Sequence, residues 1–147
     1  MTTFDSPGHP PFDEIPPLDT VVEPFADAAG LRRRWRALMG ELGFSEVVLW
    51  LAFVEDRSRL IPAFIQMTLP PIPDELIADR FLHLIRARLD DDPDLTVALL
   101  LTRPGDAPPG PRDHGWARLL TDYALRHDVP LHPMFLATDV ELVPLTG

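Results

Sequence analysis

The sequence contains neither cysteine nor lysine, and the first absence excludes several kinds of chemistry. Without cysteine there can be no disulfide, no cysteine-ligated zinc and no thiol nucleophile. No run of 18 apolar residues occurs, so no membrane-spanning helix is predicted. The first residues lack the basic start and apolar stretch of a signal peptide. We therefore expect a cytoplasmic protein that is not inserted into a membrane.

Sequence motifs for common chemistries are also missing. The chain has no glycine-rich phosphate loop, no GxSxG elbow, no HExxH helix and no EF-hand loop. Its five histidines form no closely spaced pair. No cofactor and no metal are therefore predicted from motifs alone.

Acidic residues outnumber basic ones, with 23 against 13 and a formal net charge of -10. A general nucleic-acid binder needs a basic face that releases counterions, so nucleic acid is not expected as a partner. The length of 147 residues and the 46% hydrophobic content predict one folded domain.

Residues 1–25 are predicted to form an acidic, proline-rich tail, followed by a single domain over 26–147. Six acidic residues and no basic residue precede Gly30. The tail is interpreted either as a solvated leader or as a peptide that docks on this domain or on a partner. The apolar residues that would dock are Phe12, Ile15, Leu18, Val21, Val22 and Phe25.

Periodicity predicts an α/β fold, a mixed sheet with flanking helices in the order α-β-β-α-β-α-β-β. The helices are expected over 31–42, 74–89 and 111–127, and the strands over 46–54, 59–69, 95–102, 131–137 and 140–143. Gly43 is placed to end the first helix. Pro62 lacks a ladder donor, so the second strand should lie at an edge or be bulged there.

Apolar side chains at helical spacing predict which faces are buried. The faces expected to point inward are Leu31, Trp35, Leu38, Met39 and Leu42 on the first helix, Ile77, Phe81, Leu84, Ile85 and Leu89 on the second, and Trp116, Leu119, Leu120 and Tyr123 on the third. The core is predicted to be built on Leu49, Trp50, Leu51, Val97, Leu99, Trp116 and Leu120.

The loop before the third helix is the most informative stretch. It runs from Leu101 through Arg103-Pro104-Gly105-Asp106 and Pro109-Gly110 to Asp113 and His114. Arg103, Asp106, Asp113 and His114 are the candidate site cluster. If their side chains converge, they could serve a hydrolase-like enzyme.

This loop resembles that of the JAB/MPN metalloprotein family, particularly its RadC-like branch, over about residues 46–137. In that family a buried strand ends in His-x-His-Pro-Ser-Gly-Asp, and Pro-Ser-x-x-Asp then opens a helix. The resemblance implies a cytidine-deaminase-like sandwich, zinc held by the two His and the Asp, and pairing between family members. A small actinobacterial domain of the same hairpin–helix–strand–helix–strand pattern fits equally well.

The metal ligands of the family are not retained in this chain. The two His positions fall on Leu101 and Arg103, and only the Asp position, at Asp113, keeps a possible ligand. Because zinc needs three protein ligands, the alignment predicts no zinc. The permanent cation of Arg103 is instead expected to pair with Asp106 or Asp113 and to close the site.

Four arginines lie close together on the first helix, at Arg32, Arg33, Arg34 and Arg36. They are predicted to form a solvated basic surface or to contact the acidic tail.

The sequence leaves three functional hypotheses open. The first is a non-catalytic protein–protein interaction module, a pseudoenzyme with a degenerate JAB/MPN-like fold whose partner is another protein or a second copy. The alternatives are the hydrolase-like enzyme and a nucleic-acid-associated protein that uses the basic surface.

Overall fold

The computed structural model describes residues 14–147; residues 1–13, which include Phe12 and His9, lie outside the described residues. The helices are α1 (Ala28–Met39), α2 (Glu75–Asp91) and α3 (Pro111–Arg126), preceded by a short 3-10 helix (Leu18–Val22). The strands are β1 (Val48–Glu55), β2 (Arg59–Leu60), β3 (Ile65–Thr68), β4 (Thr96–Thr102), β5 (Phe135–Ala137) and β6 (Leu142–Pro144).

The six strands form one mixed sheet, which confirms the coarse α/β prediction. Its order is β2-β1-β4-β5-β6, and β3 pairs with β1 beside β2. β4 and β5 are parallel and are connected through α3, whereas all other neighbours are antiparallel. The candidate loop, which connects β4 to α3, therefore lies at the carboxyl ends of the parallel strands β4 and β5.

Two hydrophobic cores cover the two faces of the sheet. Alternating residues of β1 and β4, such as Leu49 and Leu99, pack with α2 and α3, whereas Ala98 and Leu100 pack with α1 and the 3-10 helix. Every residue of β4 is buried, as its unbroken apolar sequence predicted. Of the seven predicted core residues only Trp50 is half-buried rather than buried.

Side-chain caps fix where the helices begin. The Asp27 carboxylate accepts the Gly30 N–H at 2.8 Å, and the Asp74 carboxylate accepts the Ile77 N–H at 3.1 Å. These bonds satisfy donors that a helix start leaves open. α1 ends at Gly40, whose positive φ of 61° suits a residue without a side chain. The prediction of 31–42 with Gly43 as the stop was therefore wrong by three residues at each end.

The predicted strand over 59–69 is two strands, β2 and β3. The ladder with β1 is interrupted around Pro62, which has no N–H to donate. The structure thus has one more strand than the predicted order. Near the end of the chain, only 135–137 of the expected strand 131–137 pairs continuously, with a single bridge from Leu131 to Val97.

The buried face of α2 is rotated from the predicted one. Ala78, Leu82, Ile85 and Leu89 are buried, whereas Leu84 is 68% exposed. Residues 78, 82, 85 and 89 follow the three- and four-residue spacing of a single stripe. Leu84 lies beside that stripe, so the prediction that it points inward was wrong.

Part of the predicted tail contacts the domain. Val21 and Phe25 are buried against Leu31 and Trp35 of α1, and the Phe25 N–H donates to the Ser58 carbonyl at 2.7 Å. Ile15, Leu18 and Val22 are exposed. Of the described apolar residues predicted to dock, Val21 and Phe25 therefore pack against the domain and the other three do not.

Candidate functional site

Arg103 and Asp113 form an ion pair with two parallel hydrogen bonds. Arg103 Nε donates to Asp113 Oδ1 at 2.9 Å, and Nη2 donates to Oδ2 at 3.0 Å. The two side chains are only 15% and 9% exposed. This fork-to-fork geometry is the strong form of an arginine–carboxylate pair. The predicted pairing of Arg103 is confirmed, with Asp113 as the acid.

The same guanidinium binds the loop that follows β4. Nη2 donates to the Ala107 carbonyl at 2.8 Å and to the Pro108 carbonyl at 3.3 Å, and Nη1 donates to the Pro104 carbonyl at 3.2 Å. A loop rich in proline has few N–H groups with which to hold itself together. Arg103 supplies the missing donors, so it fixes the loop conformation.

Asp113 also caps α3. Its Oδ2 accepts the N–H of Gly110, the residue before the helix, at 2.9 Å. A carboxylate in the first turn of a helix also interacts favourably with the helix dipole. Both oxygens of Asp113 are therefore occupied by groups of this chain.

Asp139 holds the other side of the loop, a role that the sequence did not reveal. It accepts the Gly105 N–H at 2.8 Å and the Phe44 N–H at 3.0 Å, and its own N–H donates to the Gly105 carbonyl at 2.9 Å. Gly105 has a positive φ of 94°, which favours glycine. The sequence identified Asp139 only as a turn residue, because these partners lie 34 and 95 positions away.

A groove of about 530 Å³ opens beside the ion pair. Its walls are mainly apolar, and Trp116 lies in them with its indole N–H donating to the Pro70 carbonyl at 3.1 Å. The lining residues are Val47, Pro71, Leu101, Arg103, Pro104, Ala107, Pro108, Gly110, Pro111, Arg112, Asp113 and Trp116.

The candidate cluster is only half assembled. Arg103 and Asp113 are together, but Asp106 is exposed and does not line the groove. His114 Nδ1 is 2.6 Å from the Thr146 carbonyl oxygen, so its ring is directed to the C-terminal residues after β6 rather than to the ion pair. The four residues do not form one constellation of the kind a hydrolase uses.

Leu101, Arg103 and Asp113, the residues that the resemblance would align with metal ligands, do not fit a metal. Leu101 has no ligating atom, and Arg103 places a permanent cation against the remaining acid, Asp113. Within residues 14–147, no three His, Asp or Glu side chains converge in a way that could hold a metal ion.

The predicted basic surface on α1 is only partly a surface. Arg33 is exposed, but Arg34 and Arg36 are buried. Arg34 donates to the Glu23 carbonyl at 3.0 Å and lies 3.9 Å from the Glu23 carboxylate, while Arg36 donates to the Gly40 carbonyl. Arg32 donates to the Leu142 carbonyl at 2.8 Å. Arg32 thus joins α1 to β6 and Arg34 joins it to the segment before the helix, whereas Arg36 binds the end of its own helix.

His132 lies half-buried between the segment before α1 and β4. Its ring lies edge-on to Phe25 at 5.5 Å between centroids and shares a 2.7 Å hydrogen bond with the Thr96 hydroxyl. Burial lowers the pKa of His132 below its ordinary value, and the positive charge of Arg57 lowers it further. The neutral ring is therefore favoured in this position.

A second apolar groove, of about 470 Å³, lies between β3 and α2. Ile65 of β3 is 49% exposed, and Leu84 of α2 borders the same groove. Its lining residues are Leu51, Phe53, Ile65, Gln66, Met67, Phe81, Leu84, Ile85 and Arg88. The sequence did not reveal this surface, because Leu84 was assigned to the core.

None of the helices in residues 14–147 has the length and apolar character needed to cross a bilayer. No protein-family model, no curated protein and no solved structure matches this chain.

Proposed function

We propose that this chain is a non-catalytic protein–protein interaction module, a cytoplasmic pseudoenzyme on a JAB/MPN-like, RadC-like fold that uses no cofactor. Its partner is a protein, and neither nucleic acid nor membrane is required. The observation that carries the proposal is the uncovered apolar surface at β3 and α2. The Arg103 loop supports the non-catalytic part.

Hydrogen bonds from Arg103 and to Asp113 hold the Arg103 loop in one conformation. A general base needs a lone pair directed at the substrate, and a general acid needs a transferable proton. Both oxygens of Asp113 accept hydrogen bonds from Arg103 and Gly110, and the guanidinium of Arg103 does not give up its proton. These contacts argue for a structural role in place of the hydrolase alternative.

The arginines of α1 argue in the same direction against nucleic acid. Phosphate binding requires guanidinium groups that are open to solvent. Arg34 and Arg36 are buried and bind carbonyl groups of their own chain. The remaining exposed arginines would have to act against a net charge of -10.

The β3–α2 surface has the character of a protein contact. Edge strands of stable monomers are normally protected by charged residues, proline or bulges. Although β3 is short and is flanked by Pro62 and Pro70, its own four residues, Ile-Gln-Met-Thr, include no charged residue and no proline. Ile65 of β3 is exposed, and so is Leu84 of α2 beside it. A partner strand would bury both side chains and satisfy the strand's open hydrogen-bonding groups.

Site-specific photo-crosslinking in the cells that naturally make the protein tests this proposal. A benzoylphenylalanine side chain replaces Ile65 in one variant and exposed Leu125 of α3 in the control. We expect a discrete protein adduct from position 65 only, and we expect Thr68→Pro to remove it. Absence of an adduct at position 65, or equal adducts at both positions, overturns the proposed function.

A further inference from the structure

We propose that the partner at β3 is a second copy of this chain, paired antiparallel along β3 with a two-fold axis through Gln66. This inference rests on the proposed function and names its partner. It follows from the hydrogen-bonding phase of β3, the side chains on each face and the charge of the neighbouring groove.

The open edge of β3 presents Gln66 and Thr68. In an antiparallel ladder, alternate residues bond to the neighbouring strand and the residues between them point their N–H and C=O groups away. The Leu69 N–H donates to the Val47 carbonyl at 2.8 Å, and the register continues through Leu49↔Met67 and Leu51↔Ile65. Ile65 and Met67 therefore bond β1, so the backbone groups of Gln66 and Thr68 point outward.

No other strand takes these outward groups in the part of the chain that the structure describes. β3 pairs with β1 alone, and it lies outside the main path of the sheet. β2 occupies the same side of β1 only opposite Val54 and Glu55. Within residues 14–147 the outer edge of β3 is thus free for a strand from another chain.

A second copy matches this edge in both phase and face. With a two-fold axis perpendicular to the sheet at Gln66, the two Gln66 residues face each other as a hydrogen-bonded pair, because both direct their backbone groups outward. Ile65 then lies opposite Met67 of the second copy. Both side chains are on the α2 face, because they pair with Leu51 and Leu49 of the α2-facing core. The apolar side chains therefore meet apolar side chains.

Gln66 suits a position on a symmetry axis. A side-chain carboxamide carries both a donor and an acceptor, so two identical Gln side chains can bond to each other. Directly opposite residues on one face of an antiparallel pair lie close enough for such a contact. A charged residue at this position would face the same charge on the second copy, whereas the uncharged Gln66 avoids this repulsion.

The charge around the edge also favours a second copy. The chain carries 23 acidic residues, yet the described residues lining the β3–α2 groove include no carboxylate. Their single charged member is Arg88, whose guanidinium lies 5.5 Å above the Phe53 ring. Two strongly acidic copies can therefore approach along this surface without bringing carboxylates together. An acidic extended peptide from another protein is the competing occupant.

A charge exchange at Gln66 tests the pairing with the full chain. Sedimentation velocity measures the mass of the unmodified protein, of Gln66→Lys, of Gln66→Glu and of their equimolar mixture. We expect the unmodified protein to be a dimer. Each variant alone should be a monomer, because like charges repel across the axis, and the mixture should form a heterodimer, because opposite charges attract. Thr121→Lys and Thr121→Glu, on the exposed face of α3, are the matched controls and should remain dimeric.

Each result bears on the proposal. A monomeric unmodified protein at high micromolar concentration overturns the self-pairing, and so does a dimer that persists in both Gln66 variants. If position 65 crosslinks only to a protein other than this chain, the proposed function stands and the self-pairing falls. Failure of both the crosslink and the dimer removes both.

A cysteine pair gives an independent measurement should a Gln66 variant fold poorly. Because the chain has no native cysteine, Ile65→Cys and Met67→Cys introduce the only thiols. Residues in a non-hydrogen-bonded antiparallel pair have Cα atoms about 4.5 Å apart, within the range of a disulfide. We expect a disulfide-linked dimer on mild oxidation of a mixture of the two variants and little from either alone. Equal yields from all three samples contradict the proposed register.

Discussion

Arg103 and Asp113 join the end of β4 to the first turn of α3 through two hydrogen bonds of 2.9 and 3.0 Å. Because Arg103 also binds three loop carbonyls and Asp113 also caps α3, one ion pair fixes the strand, the loop and the helix start. The pair lies where the family resemblance would place a metal. Its contribution to stability can be measured directly.

We expect Arg103→Ala to lower the free energy of unfolding by about 3 kcal/mol, because it leaves a nearly buried carboxylate without its cation. The double variant Arg103→Ala/Asp113→Asn removes that charge while an amide oxygen can still accept the Gly110 N–H. It should therefore be more stable than the single variant. Urea denaturation compares the two. A double variant that is no more stable than Arg103→Ala contradicts this role.

Trp116 tests the packing beneath the groove. Its side chain is 1% exposed, so Trp116→Ala should cost about 3–5 kcal/mol in a denaturant titration. The control is Leu125→Ala on the same helix, at a side chain that is 76% exposed, where we expect a change of about 0.5 kcal/mol or less. Similar losses for both variants would place Trp116 outside the core.

The shifted titration of His132 predicts a pH dependence of stability. Burial and then Arg57 lower its pKa below 6.5, so the unfolded chain takes up a proton more readily than the folded one. The contribution of neutral His132 is complete above about pH 6.5 and is lost as the pH falls through that value towards the lower folded pKa.

This dependence can be isolated with His132→Gln. Urea midpoints measured from about pH 8 to about pH 5 should fall less steeply with acidification for this variant than for the unmodified protein. Thr121→Gln, at an exposed position of α3 that does not titrate, is the control and should keep the original slope. Identical slopes for all three proteins would show that His132 does not contribute.

Metal analysis tests the interpretation of Leu101 and Arg103 as lost ligand positions. We expect protein purified without added metal to contain no stoichiometric zinc, and its melting temperature to be unchanged by a chelator. Bound zinc whose removal lowers the melting temperature would contradict this interpretation, because a structural metal contributes folding energy directly.

Local patterns in the sequence predicted the helices and the central strands, and they predicted one contact of the candidate site. The alternating apolar residues of β1 and the unbroken run of β4 predicted central strands, and the structure covers both on two sides. The sequence predicted that Arg103 pairs with Asp106 or Asp113, because the family resemblance places the guanidinium where an acid would otherwise bind a metal, and the structure shows the pair with Asp113.

Long-range contacts account for what the sequence did not predict. For Arg34 the sequence left a solvated surface and a contact with the acidic tail open, and the structure shows the contact, with Glu23. The burial of Arg34 was not predicted, because it depends on how the segment before α1 packs against that helix. Asp139 binds the backbone of residues that are distant in sequence, and no periodicity reports such contacts. Leu84 follows the apolar pattern of a core residue, yet the angle at which α2 packs leaves it exposed.

Residue-resolved amide hydrogen exchange across a dilution series tests the central claim, that the outer edge of β3 is an interaction surface. We predict that the Gln66 and Thr68 amides, which point outward, are protected at high protein concentration and lose protection on dilution. The amides of Ile65 and Met67, which bond β1, should stay protected throughout and serve as internal controls. If Gln66 and Thr68 exchange as open amides at every concentration, and cell extract does not change this, the claim is contradicted.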